Sequence, residues 1–168
     1  MNPALRAATE ADAPAMAGLI NRIIEMGGTT AHQSRFDAAR MLDHYIAPPL
    51  AICCFVAVLK GEVIGFQALE RADPDWQGEG KLPDDWALIA TFVGEGHRGL
   101  GVGRALFALT LDAARAADIV AIDATIRADN TMGLAYYAQM GFADHALIKD
   151  APLRDGTKID RVQKVFKL

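Results

Sequence analysis

The chain has 168 residues, 52% of them apolar, and a formal net charge of -4 at pH 7. That length suits one folded unit with a buried core, and the acidic balance excludes the clustered basic footprint of a nucleic-acid-binding domain. The longest apolar run, Leu50 to Leu59, reaches about half of the ~20 residues a bilayer helix needs, and Met1-Asn2-Pro3-Ala4 carries neither part of a secretory signal, so no membrane span and a cytoplasmic location are expected.

Leu5 to Ala8 predicts a short strand. Thr9-Glu10-Ala11-Asp12 then resembles a capping box, with Asp12 in place of the usual Glu or Gln. Met16, Leu19, Ile20, Ile23 and Ile24 recur at helical spacing until Gly27-Gly28 closes the helix. A polar connector, Thr29 to Ser34, leads to a second helix expected from about Arg35 to Ile46, ended by Pro48-Pro49. Ala51 to Leu59 and Val63 to Glu70, joined by Lys60-Gly61-Glu62, form a hairpin pattern. Arg71 to Asp85, rich in proline, glycine and acidic residues, predicts a long exposed loop.

A strand from Trp86 to Val93 precedes the run Arg98-Gly99-Leu100-Gly101-Val102-Gly103-Arg104, after which Val102, Leu106, Leu109 and Ala113 mark one face of a helix. Ile119 to Thr125 predicts a strand, and Asp129-Asn130 caps a helix that ends near Met140 with Gly141 after it. Phe142 to Ile148 and Arg161 to Phe166 predict two last strands around a turn at Arg154-Asp155-Gly156. The order is β-α-α-β-β-β-α-β-α-β-β, which implies a mixed sheet with helices on both faces. The adjacent Cys53 and Cys54 point to opposite faces of their strand, so they neither bridge each other nor share a metal.

The glycine run carries the chemistry. A glycine-rich turn feeding a helix leaves several N–H groups unpaired at the positive end of the helix dipole, which makes an anion site. Three readings compete. Glycine here can serve the backbone alone, as a strand-to-helix turn. Gly94-Glu95-Gly96-His97-Arg98-Gly99 matches the dinucleotide pattern G-x-G-x-x-G, yet the helical pattern starts only after Gly101 and no βαβ unit opens the chain. A Walker A loop is excluded, because no Lys-Ser or Lys-Thr follows the glycines.

In the third reading, Arg98-x-x-Gly101-x-Gly103 resembles the acyl-CoA-binding signature of the GNAT acetyltransferase superfamily. A second motif of that family, an Asn opening a helix that ends Tyr-x-x-x-Gly-Phe, is matched by Asn130 through Tyr137-Ala138-Gln139-Met140-Gly141-Phe142. Both lie on the expected elements, and the resemblance covers nearly the whole chain. It implies one acetyl-CoA-binding domain over residues 1–168, built on a mixed, mostly antiparallel sheet of six to seven strands. Gly28-Thr29-Thr30-Ala31 and Ala128-Asp129-Asn130-Thr131 further resemble the phosphinothricin and amino-acid acetyltransferase branch, which usually has His where this chain has Tyr137.

The resemblance implies that the diphosphate of coenzyme A rests on the amides of Arg98, Gly99, Leu100, Gly101, Val102, Gly103 and Arg104. The pantetheine arm is expected to pair with main-chain groups near Phe92 and Val93, with Asn130 against the same arm. Tyr137 is the expected general acid for the departing thiolate, since a phenol is protonated at neutral pH. The general base is expected at Asp85, with Asp84, Glu25 and His32 as other candidates. Thr29, Thr30 and His32, with loop 71–85, are expected to shape the acceptor pocket, the acidic loop attracting a cationic amine.

The function implied is transfer of an acetyl group from acetyl-CoA, without a metal, to a primary amine of a small molecule or amino acid by direct attack. A protein N-terminus or lysine is the alternative acceptor, and a non-catalytic CoA sensor the alternative class. A homodimer is left open.

Overall fold

In the computed structural model, which describes residues 2–168, the chain runs β1 (Ala4–Ala7), α1 (Ala13–Met26), α2 (Ala38–Met41), β2 (Ala51–Leu59), β3 (Glu62–Arg71), β4 (Trp86–Val93), α3 (Val102–Ala116), β5 (Ala121–Arg127), α4 (Thr131–Met140), β6 (Ala143–Pro152) and β7 (Lys158–Lys167). The expected order holds, and the expected six to seven strands are seven. They form one sheet, β1-β2-β3-β4-β5-β7-β6, in which every neighbouring pair is antiparallel except β4 with β5. Among the described residues no helix is long and apolar enough to cross a membrane.

Helices cover both faces. Met16, Leu19, Ile20 and Ile23 of α1 pack with Met41, Val56 and Phe66 on one side. Phe107 and Ala114 of α3 and Tyr137 of α4 pack with Ile122, Ala124 and Ile126 on the other. Cys54 joins the first cluster and Cys53 packs against the second, so the two thiols are separated by the sheet itself. Burial pushes the thiol of Cys53 up to about 11 and that of Cys54 to about 12, which leaves both protonated and inert.

The capping box forms before α1. Thr9 donates its backbone N–H to Asp12 Oδ2 at 2.8 Å, and Arg6 grips both oxygens of Asp12 at 2.7 and 2.8 Å. Those bonds hold the Asp12 carboxyl at about 2, below the usual carboxylate range.

The second helix is shorter than its apolar spacing implies. Asn21 donates to the carbonyl of Phe36 at 2.9 Å and accepts its N–H at 2.7 Å, which ties Phe36 outside any helix. Asp37 then caps α2 by accepting from Arg40 N, and a π turn over Leu42–Ile46 brings Tyr45 inward. The fifth strand starts two residues later than expected. Ile119 donates its N–H to Ala114 at the end of α3, so its apolar side chain closes the core rather than beginning the strand. The last two strands extend toward each other as one long hairpin.

One feature of the sheet creates the site. Strands β4 and β5 pair only at Trp86↔Ala121, Ala87↔Ile122 and Leu88↔Asp123. Beyond that point β4 stays with β3 as far as Val93↔Gly65, while β5 stays with β7 as far as Arg127↔Arg161. The two halves of the sheet therefore part, and the facing edges of Ile89 to Val93 and Ala124 to Arg127 carry no ladder between them.

Candidate active site

A cleft of about 690 Å³ occupies the gap. Phe92, Val93, Arg98, Gly99, Gly101, Val102, Gly103, Arg104, Asn130 and Tyr137 all border it, as do Thr29, Thr30 and His32 from the connector after α1. Residues 101 positions apart in sequence meet there, since Asn130 Nδ2 donates to the carbonyl of Thr29 at 3.2 Å. Leu100 does not line the cleft; its side chain is 72% exposed.

At one mouth stands the first turn of α3. Gly101 adopts φ +82°, the left-handed conformation that glycine takes without strain, and no side chain caps the helix behind it. The amides of Val102, Gly103 and Arg104 are thus left for a ligand, at the positive end of a 15-residue helix. Gly103 answers a packing demand besides its place in the motif. A Cβ there would lie 2.7 Å from the Tyr136 ring, and the Tyr136 hydroxyl donates to the Gly103 carbonyl at 2.8 Å. The missing side chain makes room for Tyr136. Arg98 turns back, donating Nε–H to the carbonyl of Val93 at 3.3 Å, which fixes the end of β4 against the loop.

Deeper in the cleft the Tyr137 hydroxyl sits 2.9 Å from Thr91 Oγ1. Tyr137 is 7% exposed, and burial raises its phenol above the ordinary value, so it stays protonated throughout the neutral range. Gln67 Nε2 donates both to Thr91 Oγ1 at 2.9 Å and to the Tyr136 hydroxyl at 3.1 Å. With one Thr91 lone pair so occupied, the threonine O–H is free to point at the Tyr137 oxygen, and the phenolic hydrogen is then free to face the cleft. The sequence motifs contain neither Gln67 nor Thr91. The available signal was an amide in an otherwise apolar stretch of strand, Ile64-Gly65-Phe66-Gln67-Ala68-Leu69.

The amide of Asn130 is largely engaged already: Oδ1 accepts from Gly133 N at 2.9 Å as the cap of α4, and Nδ2 holds the connector. Arg127 completes that anchor by donating to the carbonyl of Thr30 at 3.0 Å. His32 Nε2 lies 2.6 Å from the Tyr45 hydroxyl, and burial, with His44 and Arg40 nearby, lowers its pKa to about 4.

The expectation for a base at Asp85 is not met by its position. Its carbonyl accepts from Val120 N at 2.9 Å, where β4 and β5 are still paired, and its exposed side chain stands outside the cleft. Asp84 is likewise outside, and Glu25 is engaged by Arg35. Loop 71–85 also lies away from the cleft, at the closed end of the sheet, so its acidic residues form no part of the lining. That lining holds Arg98, Arg104, Arg127 and Arg161 and no Asp or Glu. Among the described residues no three His, Cys, Asp or Glu side chains converge on a metal position.

A model of the acetyltransferase (GNAT) family matches residues 20–142. Solved structures share the fold over nearly the full chain. A ribosomal-protein-alanine N-acetyltransferase from Brucella melitensis is 24% identical, with 98% of this chain and 99% of that one covered and a TM-score of 0.78. An N-acetyltransferase from Staphylococcus aureus Mu50 is 16% identical, with 99% of each covered and a TM-score of 0.81. A phosphinothricin acetyltransferase from Sinorhizobium meliloti, solved in complex with AcCoA, is 19% identical, with 100% of this chain and 89% of that one covered and a TM-score of 0.79.

Proposed function

The chain belongs to the acetyltransferase (GNAT) family, and from that premise we propose that residues 1–168 act as one domain moving an acetyl group from acetyl-CoA to a primary amine of a small molecule or amino acid. The observation that carries this reading is the meeting of three features in one cleft: an unpaired edge of β4, the uncapped start of α3 and the Tyr137 hydroxyl. The AcCoA bound to the similarly folded phosphinothricin acetyltransferase supports the choice of cofactor.

In this reading the diphosphate rests on the amides of residues 98–104, and Arg104 adds charge at the rim. The pantetheine arm takes the place of the missing strand beside β4, bonding main-chain groups near Phe92 and Val93, and the remaining Asn130 N–H meets it from across the gap. The acetyl group then lies near Tyr137. The amine nitrogen attacks the thioester carbonyl carbon, the C–S bond breaks, the sulfur leaves as a thiolate hydrogen-bonded by Tyr137, and the nitrogen gives its surplus proton to water, which also restores the phenol's proton afterwards. Because burial raises the phenol, stabilisation comes chiefly from the donated hydrogen bond, with full proton transfer following as the thiolate departs.

Thr29, Thr30 and His32 form the acceptor side. With no carboxylate in the lining, the amine must arrive unprotonated or lose its proton to water. A peptide-type α-amine of pKa near 8 is about one-tenth free at pH 7, a handicap of only about 1.4 kcal/mol; a free amino acid, whose carboxylate stabilises the ammonium, loses more, and a lysine amine near 10.4 loses about 4–5 kcal/mol.

Thiol release from acetyl-CoA across a panel of amines tests the reading. Release with at least one acceptor, accompanied by acetyl-CoA raising Tm, is expected. Acetyl-CoA binding without release across the panel would make the protein a sensor and overturn the enzyme reading.

A further inference from the structure

Taking acetyl transfer in this cleft as given, we infer that Arg161 binds a carboxylate of the acceptor, so that the preferred substrates are amino acids rather than amines lacking an acid group. Arg161 and Arg127 stand directly opposite each other on β7 and β5. Residues so paired project from the same face, and two like charges there repel. Arg127 is neutralised: its guanidinium donates to Asp129 Oδ1 at 2.9 Å and Oδ2 at 2.8 Å. Arg161 makes no ion pair among the described residues, and its Nε is buried with no hydrogen-bond partner. A buried guanidinium N–H without an acceptor is costly, and a ligand oxygen in the cleft would relieve it.

A second orphan lies in the same cleft. The hydroxyl oxygen of Thr29 is also buried and unpartnered. A hydroxyl and a fork of guanidinium donors facing one cavity suit a carboxylate, which accepts two parallel bonds from arginine.

The phosphate site proposed at α3 lies off the other face of the sheet from Arg161. Ile122, Ala124 and Ile126 of β5 pack with α3 and α4. Alternation therefore turns Arg127, and with it Arg161, to the opposite face, where the connector after α1 lies. That connector is held over the site from two sides, by Arg127 on the Thr30 carbonyl and by the β6–β7 turn, where Arg154 donates to Ser34 Oγ at 2.6 Å and Asp155 N to Gln33 at 2.9 Å. The diphosphate amides belong to α3, across the sheet.

The test compares the proteinogenic L-amino acids with their carboxamides as acceptors, in the wild type and in Arg161→Met. Counted on the unprotonated amine, the wild type should favour at least one acid over its amide by about 10- to 100-fold in kcat/KM, mainly through KM, and Arg161→Met should erase the preference while leaving the KM for acetyl-CoA within about twofold. A readout without turnover runs beside it: N-acetyl-L-amino acids should raise wild-type Tm and N-acetyl-L-amino amides should not, and Arg161→Met should respond to neither. Because the substitution removes a repulsion and an orphan donor, the unliganded variant should melt no lower than the wild type. Equal use of acids and amides, or an acid-dependent Tm rise that survives Arg161→Met, would overturn the inference even if acetyl transfer proceeds. Acid-dependent stabilisation without thiol release would sustain Arg161 as a carboxylate site and sink the transfer reading instead.

Discussion

The hydroxyl of Tyr137 gains its value from two residues that never touch the cofactor in the proposed mechanism. Gln67 donates to Thr91, which leaves the threonine O–H free to point at the Tyr137 oxygen and the phenol free to direct its own hydrogen into the cleft. Tyr137→Phe should lower kcat about 100-fold with little change in acetyl-CoA affinity, measured by steady-state thiol release and direct binding. Thr91→Val should cost about tenfold, and the double variant should be no slower than Tyr137→Phe, because Thr91 acts through the phenol. Additive losses would separate the two residues. His32 sets a pH expectation. With its pKa lowered to about 4 it is already neutral through the assay range, so log kcat/KM should climb with the acceptor amine's ionisation and show no step near 6.5. A clear inflection there would mean that His32 titrates during the reaction.

Two elements position these groups: the turn into α3, and the connector between α1 and α2. At the first, Gly101→Glu sets a carboxylate at the positive end of the helix and forces a side chain into φ +82°. It should abolish acetyl-CoA binding in calorimetry while the protein still melts cooperatively, within a few degrees of the wild type. Gly103 is a poorer probe, since any side chain there collides with Tyr136. At the second element, Asn21 stands in for backbone partners at Phe36, and Asn21→Ala strands two buried groups. A loss of about 2–3 kcal/mol in chemical denaturation is expected, with a raised acceptor KM and an unchanged acetyl-CoA KM. Equal changes in both KM values would place the connector's influence on the cofactor as well.

Over the whole molecule, the order of elements and the turn that opens α3 were legible because they are written locally. Glycines mark the turn, Asn130 marks a helix start, and apolar periodicity marks each covered face. The opposite side of the cleft was not, because it is assembled from distant chain segments. Arg161 gains meaning only once β7 is seen beside β5, and Asp85 loses it once the paired end of β4 is seen to lie away from the cleft. The second helix misled for the same reason, its apolar spacing being overruled by the side chain of Asn21 from α1.

Stability of the whole fold carries an acid signature from the start of α1. The Asp12 carboxyl is held at about 2, so its contribution is present above the ordinary value near 4 and is lost as pH falls toward 2. Tm of the wild type should drop across that window, and Asp12→Asn should show a shallower drop from a lower starting Tm.

In the proposed function the start of α3 holds the diphosphate of coenzyme A. Amide nitrogen–proton NMR during titration with coenzyme A decides this placement. The largest shifts should fall on Gly99 through Arg104, with smaller ones at Phe92 and Val93 and little change at Asp84 and Asp85. Saturable shifts that leave residues 99–104 unmoved and centre on another surface would contradict it.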